Sequence, residues 1–156
     1  MIRLAHGDTV LLLDESLGNI PEWRVGGRHP LHSAPWLDEP EVQDDPDLPM
    51  VNKRLSGDFF CMPFGLDDVD HGPIHGATAN TPWHVVDQDV AEVRLRLNDQ
   101  VRGAHVTKHV QIVGPVLYQS HTIDGGAGEV TFAHHPMTRM AEGGRLSHSP
   151  KRAVMT

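Results

Sequence analysis

Between Glu92 and His135 the chain alternates apolar and polar residues in short runs, each ended by glycine or proline. This pattern constrains the fold most, because successive side chains of a strand point to opposite faces and a half-buried strand repeats every two residues. In Glu92 to Asn98, Val93, Leu95 and Leu97 alternate with Arg94 and Arg96. In Val106 to Val113, Val106, Val110 and Ile112 share one face, while Thr107, His109 and Gln111 share the other. Gly114-Pro115 breaks that run and Val116 to Ile123 resumes it. Asp124-Gly125-Gly126-Ala127-Gly128 reads as a hairpin turn, and Glu129 to His135 as the strand that returns from it. Upstream, Thr9 to Asp14 reads as a short apolar strand, and Phe59 to Gly65 as a compact apolar cluster closing in turn residues. Gly26 to Trp36 has no helical period, and no other stretch sustains an apolar pattern at helical spacing. The expectation is an all-β, antiparallel sandwich.

Composition narrows the partners. The formal net charge of −8 repels a phosphate backbone and an anionic membrane surface, so nucleic acid and lipid are excluded as expected partners. A single cysteine, Cys61, permits no internal disulfide and suits a reducing compartment. Val10 to Leu13 is too short for a signal core, and no apolar run reaches membrane-spanning length, so a cytoplasmic location is expected. A chain of 156 residues fits one domain, residues 1–156, that buries roughly two-thirds of its unfolded surface. The acidic, proline-broken stretch from Asp38 to Asp47 reads as an exposed loop. There is no internal repeat. The glycines at 125, 126 and 128 precede neither a helix nor Gly-Lys-Ser/Thr, so they are not a phosphate cradle.

Twelve histidines are the unusual count, and imidazole both exchanges protons near neutrality and binds metals. For any one of them, a surface or strand-face role is the default. Three clusters depart from it by position: His71-Gly72-Pro73-Ile74-His75-Gly76 running on to Asn80 and Trp83, His134-His135-Pro136, and His29-Pro30-Leu31-His32 before Trp36. In a strand ending at His135, Thr131, Ala133 and His135 point one way, and Val130, Phe132 and His134 the other. His135 then lies on the more polar face and His134 with the bulky apolar pair, which favours His135 for chemistry. Trp83, near polar groups, suits stacking on the C–H face of a sugar, against the ordinary role of filling a core.

The segment His75-Gly76-Ala77-Thr78-Ala79-Asn80-Thr81-Pro82-Trp83 resembles the His-Gly…Asn…Trp motif of the aldose 1-epimerases, or galactose mutarotases. Ser56-Gly57-Asp58-Phe59-Phe60-Cys61-Met62-Pro63-Phe64-Gly65 is similar to the glycine-rich, Pro-Phe-Gly segment that precedes it in that family. His135-Pro136 resembles a later His-Pro at a strand end, and Gly143 to Ser147 the stretch that follows. The resemblance spans about Gly26 to Ser149. It implies a galactose mutarotase-like β-sandwich of supersandwich type and acid–base interconversion of sugar anomers, with no cofactor and no metal. One group removes the C1-hydroxyl proton while another protonates the ring oxygen. Carried over by motif, His75 orients the sugar and His135 is the general acid, with Asp58, Asn80 and Trp83 as substrate-binding positions.

The family's glutamate base lies far toward the C-terminus of a longer domain, and Glu129 and Glu142 occupy no such position. The resemblance therefore implies the N-terminal part of an incomplete sandwich, weak or inactive by itself and prone to self-association through uncovered strands. Sugar-phosphate relatives carry an arginine where this chain has Leu55-Ser56-Gly57-Asp58, and Asp58 opposes a phosphate, so the expected ligand is a neutral hexose. Met137-Thr138 follow His135-Pro136 where the family often has aromatics. Two alternatives stand beside this reading. One is a metal-dependent, cupin-like sandwich enzyme using His29/His32, His71/His75 and His134/His135; the other is a sugar-binding module without catalysis.

Overall fold

The computed structural model describes residues 1–147, 149 and 150. The chain is all-β in character and its sheets are antiparallel. Three strands, β1 (Ile2–His6), β2 (Thr9–Asp14) and β3 (Asn19–Val25), form a meander in the order β1-β2-β3. Two short helices follow, α1 (Pro40–Gln43) and α2 (Met50–Lys53), then the two-residue strand β4 (Phe60–Cys61) and a 3-10 turn at Ala77–Ala79. A second meander, β5 (Trp83–Gln88), β6 (Glu92–Leu97), β7 (Ala104–Val113) and β8 (Val116–Gly125), makes a four-stranded sheet in sequence order. The last strand, β9 (Ala133–His134), pairs with β4 in a separate two-stranded ribbon.

The alternation in β6 and β7 is realised residue by residue. Val93, Leu95 and Leu97 of β6, and Val106, Val110 and Ile112 of β7, are buried against Leu4, Leu11, Leu13 and Ile20 of the first meander. Each such aliphatic side chain contributes about 1.5–3 kcal/mol through burial, and together they hold the two sheets face to face. Phe60, Met62 and Trp83 belong to the same core. A smaller core of Val51, Phe59, Cys61 and Ala79 lies on the other side of the ribbon.

Two expectations change. The strand expected over Glu129 to His135 shrinks to Ala133–His134 and does not return alongside β8. Gly125, Gly126 and Gly128 all have positive φ, and Ala127 donates its N–H to the Arg102 carbonyl, so the chain leaves β8 sideways. It then reaches β4 across the molecule. The acidic loop is also not wholly irregular: Pro40 starts the short helix α1, whose Gln43 donates to the Lys53 carbonyl at 3.1 Å while Lys53 Nζ donates to the Gln43 carbonyl at 2.8 Å. Among the described residues, no helix is long and apolar enough to cross a membrane.

Candidate functional site

The β4–β9 ribbon brings the two halves of the sequence together. Phe60 pairs with His134 and Cys61 with Ala133, and the pairing is prolonged by His135 N–H to the Phe59 carbonyl (2.9 Å) and Met137 N–H to the Gly57 carbonyl (2.8 Å). Gly57 makes this approach attainable. Its φ is +74°, and a Cβ there would lie 1.8 Å from the Ile20 carbonyl oxygen, so only glycine admits the mutual backbone bonds between Ile20 and Asp58. Those bonds tie the ribbon to β3.

Because side chains alternate along a strand, the ribbon has two different faces. On one, Phe59 is buried and stacks on His135, ring centroids 4.6 Å apart and nearly parallel. The His75 ring stands edge-on to both, 5.6 Å from Phe59 and 5.3 Å from His135. The exposed Phe64 ring closes the group, 5.6 Å from His75 and 6.3 Å from His135. His75 holds a left-handed backbone, φ +65°, a conformation that a non-glycine residue keeps only where its surroundings fix it. Gly65 supplies that fixing twice: its carbonyl accepts the His75 N–H at 2.7 Å, and its N–H donates to His75 Nδ1 at 3.3 Å. With Nδ1 accepting, Nε2 is the nitrogen that carries the proton. Burial, and then the neighbouring His135, hold the His75 pKa below its ordinary value. Among the described residues, the buried His135 Nδ1 has no hydrogen-bond partner.

Asn80 builds the loop that carries His75. Its amide donates to the carbonyls of Ile74 and Gly76, both at 2.8 Å, and its Oδ1 accepts the Val51 N–H at 3.1 Å. Every polar atom of that side chain is thereby engaged within the protein. Trp83 is 3% exposed, and its indole N–H donates to the Thr78 carbonyl at 3.2 Å. Both residues therefore support the loop and core beneath His75.

The opposite face of the ribbon carries Asp58, Phe60 and His134. Asp58 is buried; Gln119 Nε2 donates to its Oδ2, and His134 Nδ1 lies 3.8 Å from the same oxygen. Burial opposes ionisation of Asp58, but His134, Gln119 and the charge of Lys108 outweigh it and hold the carboxyl below its usual range. His121 stacks on Phe60 at 3.8 Å and lies 5.0 Å from His134. Burial, then Lys108 and His134, push its pKa down to about 2, so the ring is neutral. An open depression on this face is lined by Phe60, His121, Ile123, Phe132, Ala133 and His134.

The structure thus brings His75 and His135 together, and sets Asp58 apart from them beside His134. His134 and His135 do face opposite sides, but His134 is the more open, its side chain 39% exposed. Sequence reasoning missed Lys108, Gln119 and His121. Lys108 lies on the apolar face of β7 between Val106 and Val110, is wholly buried, and donates to the Gly18 carbonyl at 2.6 Å. Its position on an apolar face was the available signal, since a buried ammonium needs a partner. Among the described residues, no group of three or more His, Cys, Asp or Glu is arranged to hold a metal ion, so His29/His32, His71/His75 and His134/His135 do not converge on one centre. Comparisons with protein-family models, curated proteins and solved structures find no match to this chain.

Proposed function

We propose that this chain is a carbohydrate-binding protein of the aldose 1-epimerase kind, with a galactose mutarotase-like supersandwich and a neutral hexose as ligand. The observation that carries the reading is the pairing of His75 with His135, two rings 5.3 Å apart from distant parts of the sequence. Ring opening needs a group that holds the sugar and a group that protonates the ring oxygen, each within hydrogen-bond reach. His75 suits the first role: Gly65 fixes the ring and leaves Nε2–H as a donor. His135 suits the second, as a proton donor beside it. Phe64, exposed at the edge of the pair, offers an apolar face to sugar C–H groups.

Among the described residues, the histidines with a carboxylate beside them are His29, His109 and His134, and neither His75 nor His135 has one there to take the C1-hydroxyl proton. This favours a second reading alongside the first, a sugar-binding module in which anomer exchange is slow. Titrating the protein with neutral hexoses while following imidazole resonances tests the binding. Exchange spectroscopy on the sugar's two anomeric signals separates isomerase from module.

A further inference from the structure

Strand β8 ends the four-stranded sheet, and it is built unlike an edge. It pairs with β7 through ten consecutive residue pairs, from Val113–Val116 to Ala104–Gly125, without a register shift. Among the described residues, no backbone hydrogen bond joins it to anything but β7. Edge strands usually carry lysine, proline or a bulge that discourages further pairing. The other edge of this sheet does so: β5 is bulged between Val85 and Asp87. β8 has no Lys, Arg or Pro, and Asp124 is its one formal charge. Val116, Tyr118 and Ile123 are exposed along it.

The row is also self-complementary. Reversed about Ser120, Leu117 falls opposite Ile123, Tyr118 opposite Thr122, Gln119 opposite His121, and Val116 opposite Asp124. No like charges meet. Gln119 and His121 are turned into their own chain, Gln119 donating to Asp58 and His121 stacking on Phe60, with their remaining polar atoms buried. Directly opposed residues of an antiparallel pair share a face, with Cβ atoms about 4.5–5.5 Å apart, which sets Leu117 against Ile123.

We propose that two copies of this chain pair antiparallel along β8, on a two-fold axis through Ser120, joining their sheets into one. Leu117 then packs on the partner's Ile123. The two sheets continue into one another, the self-matching geometry that closed two-fold interfaces require.

Ser120→Cys tests this, because Ser120 is exposed and the native Cys61 is fully buried. Opposed residues on the axis sit at a separation that a disulfide spans. Under mild oxidation, Ser120→Cys is expected to cross-link into a dimer at least tenfold faster than Val116→Cys, whose opposite residue is Asp124. Sedimentation of the unmodified chain is expected to show a concentration-dependent dimer, and Ile123→Lys a monomer with unchanged circular dichroism. Three results overturn the proposal. One is a monomer at every concentration; another is equal cross-linking of the two cysteine variants. The third is a dimer that survives Ile123→Lys, which assigns association to another face. Slow amide exchange along β8 in a monomer counts against it as well, since some other cover would then be present.

Discussion

Gly65 N–H donates to His75 Nδ1 at 3.3 Å, while the Gly65 carbonyl accepts the His75 N–H at 2.7 Å. One glycine thus fixes the ring, its tautomer and a left-handed backbone. His75→Asn retains an acceptor near the Nδ1 position and a residue type that tolerates positive φ. It is expected to melt within a few degrees of the parent and to weaken hexose binding at least tenfold. His75→Val, β-branched at the same φ, is expected to lose stability on the order of 1–3 kcal/mol. Thermal melts and a sugar titration on the two variants check this contrast.

Gly57→Ala is expected to loosen the ribbon from β3. The added methyl meets the Ile20 carbonyl, and φ +74° strains any L side chain. The strain alone costs on the order of 1–3 kcal/mol, and the clash adds to it. Amide exchange at Ile20 and Asp58 is expected to rise with the fall in melting temperature.

Lys108 predicts an unusual alkaline response. Burial, partly offset by Asp58, lowers its pKa to about 8 from the ordinary 10.5. Between those values the unfolded chain binds a proton that the folded chain does not, so this residue's contribution to stability rises with pH. Cys61 acts oppositely: burial and then Asp58 raise its pKa to about 12 from 9.0, so its contribution falls as pH climbs above 9. In a Cys61→Ala background the stability curve is expected to rise from pH 8 to 10.5. Adding Lys108→Met is expected to remove the rise, as read by urea denaturation across that range.

His121 sets the acid side. Its pKa, about 2 in the fold against 6.5 ordinarily, means that the unfolded chain takes up a proton first as pH falls below 6.5. Stability is lost progressively from there downward. His121→Phe, which preserves a ring to stack on Phe60, is expected to flatten that part of the curve in the same denaturation experiment.

Strands β2, β6, β7 and β8 were the legible part of this chain, while β1, β3 and β5 were not read from the sequence. Val93, Leu95 and Leu97 announce β6 by period alone, and Val106, Val110 and Ile112 announce β7. The opposite facing of His134 and His135 also follows from strand parity. What parity leaves open is the partner. Phe59 across the ribbon stacks on His135, which is half-buried, while His134 on the other face is exposed. Asp58 illustrates the same limit: its neighbours Gln119, His134 and Lys108 come from three other strands, and no local pattern links them. Asn80 and Trp83 stand out as polar and aromatic in sequence, and their hydrogen-bonding groups are met by nearby backbone.

We propose that His75 and His135 together receive a neutral hexose. The most direct measurement is an NMR titration of the full chain, with labelled histidines and glucose or galactose at millimolar concentrations. Saturable shifts are expected at His75 and His135, with the His135 shift needing at least tenfold more sugar in His75→Asn, while His29 and His109 stay unmoved. No shift at either ring with any neutral hexose, or shifts confined to His121 and His134, would contradict it.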